Sequence, residues 1–278
     1  MMRRALRPKS PIVQELVRIA TERAFRHNRK RCVVAGTKLI RDLGRRYPFY
    51  DLLYSKDHED LCRGIRAENK YLAEPQSLRR IAQVREFDGL VGTLDLPESR
   101  EDLADIRLLL CLDYIEDPGL LGTLLRTAVA FQWQAVYLLP NTADPFDPLC
   151  IRASQGALFE IPHRRGSMAT LQKLCKARRL PLCVSHSEGT DIGSAAYQPP
   201  QTGMALLLRE EYAAPWGVPR RAVKLRVPDP WLHSPEKPEE PFEPRAFDVA
   251  IAGGVMMHHI KYFHYPQVSQ SPLLASPK

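Results

Sequence analysis

The chain has 278 residues, with 40 Lys and Arg against 32 Asp and Glu, and 44% apolar residues. That is an ordinary globular composition, which excludes wholesale disorder. No apolar run approaches the roughly 18 residues that cross a bilayer, so no transmembrane helix is expected. The formal charge of +8 sits at one end: residues 1–31 hold ten basic and two acidic side chains, and the rest balances at 30 against 30.

The opening MMRRALRPKS is Arg-rich and acid-poor, as mitochondrial transit peptides are, although it holds little Ser and is interrupted by Pro8 and Pro11. A mitochondrial location is the expectation, and a cytoplasmic one the alternative. Ser10 before Pro11 predicts a helix start, an N-cap hydroxyl followed by a proline at the first helical position. Ile12, Leu16, Ile19 and Ala20 recur at helical spacing, and the other face turns basic and runs into HNRKR. Residues 1–31 thus read as a basic extension in which Arg29, Lys30 and Arg31 are candidate phosphate contacts, with a solvated or targeting segment as the plain alternative.

Short alternating units follow. Extended segments at 32–35, 49–54, 70–74 and 87–96 are separated by helices at 37–43, at 58–65 and from Ser77 onward, a small α/β domain over 32–97. The polar, acidic stretch 97–105 reads as a linker. RLLLCLDY at 107–114 is a continuous apolar run of the kind that forms a strand buried on both faces. A turn at 115–119, a helix at 121–131, a strand at 134–139, a helix at 168–177 and strands at 181–185, 204–208 and 223–227 come next. A last helix at 249–263 completes a second, mostly parallel α/β domain over 106–265. A Pro-rich insertion at 228–246 breaks its rhythm, and 266–278 is a tail. The six cysteines form no CxxC pair and lie in apolar surroundings, which fits buried, reduced thiols. Adjacent His258 and His259 point apart on a helix, so metal chemistry is not expected.

Four segments are candidates for chemistry. In DPGLLGTLLRTAVAF, 117–131, Gly119 and Gly122 allow close approach at a strand-to-helix turn, and Arg126 follows on the helix. It is neither GxGxxG nor a P-loop, and an ordinary βα turn with a solvated arginine is the simpler reading. In IRASQGALFEIP, 151–162, Arg152, Ser154 and Gly156 could line a phosphate-binding surface, or Ser154 could cap a helix. GMALLLREEY delivers Arg209, Glu210 and Glu211 to the carboxyl end of a buried strand, the usual ligand crevice of an open sheet, or else to a surface ion pair. FDVAIAGGVMMHHIKYF, 247–263, has small residues that allow close helix packing, and core contact is its simpler reading.

In order and spacing these segments resemble the SPOUT class of RNA methyltransferases, of the SpoU (TrmH) ribose 2'-O type. Asp117, Pro118, Gly122, Arg126, Thr127 and Ala128 match the first motif, Asp-Pro-x-Asn-x-Gly-x-x-x-Arg-Thr-Ala. Ser154, Gly156 and Ala157 match the middle block. Leu207, Leu208, Arg209, Glu210 and Glu211 fall on the strand and Gly-Asn-Glu of the second motif. Val227, Pro228, Asp229 and then Ala246, Phe247, Asp248, Val249 fall on the third. The N-terminal domain resembles the family's L30e-like substrate-binding domain, with VVAGTKLIRDL in the place of Val-x-Glu-Gly-x-x-x-Val.

The resemblance implies a trefoil knot formed by the second- and third-motif loops, S-adenosylmethionine held there, and a dimer. Leu208, Arg209, Val227, Pro228, Phe247 and Asp248 take the cofactor positions, and Arg126 and Glu211 the catalytic ones. In the family the arginine at position 126 lies near the ribose 2'-hydroxyl and the adjacent phosphate, where a guanidinium orients and stabilises charge. This chain departs from the pattern: Leu120 replaces the first-motif asparagine, Arg209 the second-motif glycine, and Ala246 and Asp248 the third-motif serine and asparagine. Sites that act as a unit lose most of their rate when one member is removed. The expectation is therefore an RNA-binding protein acting on ribosomal RNA with an impaired site, an assembly factor or a subunit paired with a like or related chain, without membrane or metal. The alternative is an active S-adenosylmethionine-dependent rRNA or tRNA 2'-O-methyltransferase.

Overall fold

The computed structural model describes residues 5–84, 87–209, 219–228 and 247–269. Two helices open it, α1 (Pro11–Thr21) and α2 (Arg23–Arg29), where a single basic helix was expected. The break falls at Glu22, whose extended φ of −105° closes α1. Next come β1 (Arg31–Ala35), α3 (Thr37–Gly44), β2 (Phe49–Tyr54), α4 (Glu59–Arg63), β3 (Ala67–Leu72), α5 (Pro75–Ala82) and β4 (Leu90–Asp95). The four strands form one sheet in the order β1-β4-β2-β3, with β4 antiparallel to β1 and β2, and β2 parallel to β3. Alternation in β1 sends Val33 and Ala35 to one face, with Val13, Leu16 and Ile19 of α1 and Leu78 and Ile81 of α5. Cys32 and Val34 point to the other face, with Leu39, Ile40 and Leu43 of α3. The N-terminal helix is therefore part of this unit's core rather than an appendage.

The segment expected as a linker is tied down: Arg100 N–H donates to the His163 carbonyl at 2.8 Å, and Asp102 pairs with Arg178. Beyond it come β5 (Leu108–Asp113), α6 (Pro118–Ala130), β6 (Ala135–Leu138), α7 (Pro148–Ala153), β7 (His163–Arg165), α8 (Met168–Arg178), β8 (Leu182–Asp191), β9 (Met204–Arg209), β10 (Val223–Arg226) and α9 (Val249–His259). A π-helical turn, Ile260–His264, extends α9. The six strands pair in the order β10-β8-β9-β5-β6-β7, all parallel. Every residue of β5 is buried, as a strand covered on both faces requires. Leu109 and Cys111 meet Leu171 and Cys175 of α8, and Leu108, Leu110 and Leu112 share a core with α6 and α9. That second core runs without a break into the α3 side of the first sheet. The junction is pinned by Tyr47 Oη donating to the Phe159 carbonyl at 2.8 Å and by Gly156, at φ 78°, against Leu39 and Leu43. No helix among the described residues is long and apolar enough to cross a membrane.

Candidate active site

The first motif builds a groove. Asp117 caps α6 by accepting from the Leu120 amide at 2.6 Å, and Pro118 fills the first helical position, so the helix starts three residues earlier than the sequence pattern predicts. Leu120 packs its side chain against the main core, where the family's asparagine would offer an amide. Gly122 lies where α6 crosses α7: a Cβ there would come within 2.6 Å of the Cys150 carbonyl and 2.7 Å of the Ala153 methyl. Only glycine allows this crossing. One turn on, Arg126 emerges to solvent, and with Thr123, Thr127, Ala130, Phe131 and Ala153 it lines an open groove of about 290 Å³. The Thr123 and Thr127 hydroxyls donate to carbonyls one turn back, at 2.9 and 2.8 Å. Among the described residues no ion pair or hydrogen bond engages the Arg126 side chain.

The middle block differs from expectation. Ser154 is buried, sits at the end of α7 rather than the start of a helix, and donates to the Ile151 carbonyl at 3.1 Å, so it does not line a phosphate surface. Arg152 remains exposed two residues earlier.

At the carboxyl ends of the central strands stands an ion pair. Asp113 of β5 and Arg209 of β9 are register partners, with Arg209 Nε 3.4 Å from Asp113 Oδ2. The Arg209 guanidinium also lies over the Tyr114 ring, 5.1 Å from its centroid. Burial pushes the Asp113 carboxyl above the usual range, and Arg209 pulls it back. Leu208 is fully buried, so its side chain faces the core rather than a ligand. Val227 packs against the core, Pro228 is exposed beside Gly193, Phe247 is exposed, and Asp248 caps α9 by accepting from the Ala250 amide at 2.8 Å. An ionised carboxylate only accepts hydrogen bonds, so Asp248 lacks the donor that an asparagine amide would offer. Glu210, Glu211, Asp229 and Ala246, and with them the loops that the resemblance assigns to a knot, lie outside the described residues. No cluster of three or more metal-ligating side chains occurs among the described residues.

The three candidates at the N-terminal end do not line this groove. Arg29 pairs with Glu15 at 2.9 Å, and Arg31 stacks on Tyr50 and faces Asp95 at 3.8 Å. Lys30 is exposed and closes α2 in the left-handed conformation. Sequence reading missed Asp113, Tyr114 and the helix α7. Asp113 ends an apolar run, where a lone carboxylate is a recognisable mark of a strand's ligand end.

Residues 107–224 match the SpoU rRNA Methylase family. A Synechocystis protein described as an uncharacterised tRNA/rRNA methyltransferase is 25% identical over 262 residues, 91% of each chain. The 23S rRNA (guanosine(2553)-2'-O)-methyltransferase of Bacillus subtilis is 29% identical over 73% of this chain and 75% of its own. The AdoMet-bound rRNA methyltransferase from Sinorhizobium meliloti superposes with a TM-score of 0.75 over 95% of this chain and 98% of its own, at 22% identity, a likeness of fold. The Asp-Pro helix start, the Gly122 crossing and the groove arginine all lie within the residues 107–224 that match the SpoU rRNA Methylase family.

Proposed function

We propose that the chain binds ribosomal RNA through the Arg126 groove, with an impaired methyl-transfer site, and serves as an assembly factor or as one subunit of a dimer. The observation that carries this reading is Arg126 itself, exposed in the groove without an ion pair among the described residues. Its guanidinium is suited to a phosphate, and Arg152 on the adjoining α7 extends the basic surface. Lys38 and Arg41 line the exposed face of α3, whose buried Leu39 and Leu43 pack on Gly156, so the first unit continues that surface. The rRNA-modifying relatives support RNA as the partner.

A partner chain is supported by α9, which is apolar on its outer side as well as its inner. Ile251 and Phe263 are 56% and 67% exposed, with Val255 and Tyr262 between them. A helix apolar all round is normally covered. Leu120 in place of the amide supports impairment of the site. Titration of labelled rRNA fragments across salt concentrations tests the reading. Affinity should fall steeply with salt as phosphate contacts release counterions, and Arg126→Ala should weaken it. Salt-independent binding refutes it. The active-methyltransferase reading is favoured by the accessible Arg126. Transfer of a labelled methyl group to RNA, abolished by Arg126→Ala, would establish it.

A further inference from the structure

We propose that Arg209 closes the strand-end crevice of β9 and β5 against S-adenosylmethionine, and that Asp113 is the residue that holds it there. The inference rests on the reading above only in taking this crevice as the family's cofactor position. In an open parallel sheet, ligands lie outside the carboxyl ends of the strands. At the ends of these two central strands the space holds a side-chain ion pair instead, with Arg209 and Asp113 only 7% and 6% exposed. The guanidinium is fixed on two sides, by the Asp113 carboxylate at 3.4 Å and by the Tyr114 ring. Tyr114 is placed by a left-handed backbone, φ 55°, immediately after β5.

Backbone retreat does not make room. Leu208, the residue before Arg209, is wedged under α9, where a Cβ on Gly253 would come within 2.5 Å of Leu208 Cδ1. The resemblance places a glycine where Arg209 stands, so that backbone and cofactor can meet. Here a Cβ and a long cation occupy that approach. A fixed guanidinium also opposes the positive sulfonium of S-adenosylmethionine. The residues at this strand end do not fit the cofactor.

Calorimetry with S-adenosylmethionine tests the proposal on the full chain. The wild type should give no measurable binding, and Arg209→Gly with Asp113→Asn should gain affinity by about tenfold or more. The paired change avoids leaving a buried carboxylate without its cation. Arg209→Ala on the same Asp113→Asn background serves if the glycine variant does not fold, as judged by circular dichroism. Asp113→Asn alone, which loosens the guanidinium without removing it, should give a smaller gain. Wild-type binding that the paired change weakens overturns the proposal, because Arg209 would then hold the cofactor's carboxylate. A folded double variant with no gain overturns it too. Binding of rRNA, measured on the same samples, is a separate readout: its absence in the wild type defeats the proposed function and leaves the cofactor result standing.

Discussion

The helical region at 11–31 and the groove between α6 and α7 both carry arginines and use them in opposite ways. Arg26 is 1% exposed; its Nε lies 2.9 Å from Asp144 Oδ2, and its Nη1 donates to the Ile19 and Ala20 carbonyls at 2.7 and 2.8 Å. Arg18 pairs with Glu22, Arg29 with Glu15 and Arg31 with Asp95. Asp144 and Asp95 come from elsewhere in the chain, so part of the local excess is neutralised only once the chain folds. Arg126, in a segment with little charge, is left open to a partner. Net charge locates basic side chains in sequence, and the packing around each decides whether it binds its own chain or something else.

The comparison breaks most visibly at Arg26. Arg26→Met should destabilise the fold by about 3–5 kcal/mol, because Asp144 would stay buried without its cation. Urea denaturation measures this, and a loss below about 1 kcal/mol would mean that another partner, such as His27 with its Nε2 3.3 Å from Asp144 Oδ1, compensates the carboxylate. The same junction holds His163, whose ring packs edge-on to Phe146 at 5.8 Å, while Phe146 meets His27 at 6.0 Å. Burial, with Arg100 nearby, lowers the His163 pKa to about 4. An unfolded chain takes up that proton near pH 6.5, so stability is complete above pH 6.5 and declines as the pH falls toward 4. The decline attributable to His163 is about 3 kcal/mol and should vanish in His163→Phe, as denaturation midpoints across that pH range would show.

The sequence makes the fold class legible because period is a local property. The alternation in β1, the apolar run of β5 and the Asp117-Pro118 helix start read directly. Short elements set by tertiary contact did not. The three-residue β7 forms the sheet edge only because β6 supplies its partner, and α7 is a six-residue helix with a cap at Asp147. At the site, Arg126 was legible from its motif. Ser154 was misread, since a serine next to glycine serves a helix end as readily as a ligand, and its burial depends on α6 crossing above it. The Asp113–Arg209 pair joins residues 96 positions apart through strand register, which no local pattern records.

Arg126→Ala should leave stability within about 0.5 kcal/mol, since an exposed side chain with no described ion pair is removed. It should weaken rRNA binding and lower the slope of log affinity against log salt by about one. Arg29→Ala gives the smallest effect. It removes an exposed pair with Glu15 and a cation over Phe25, a contribution of at most about 1 kcal/mol. Its effect on RNA affinity should also be small, because Glu15 already balances its charge. Filter binding of the two variants side by side sharpens the comparison. Equal losses would show that the Glu15 pair opens on RNA and that the N-terminal helices share the interface; a loss confined to Arg126→Ala would show that pairing within the fold has withdrawn that helical region from the partner.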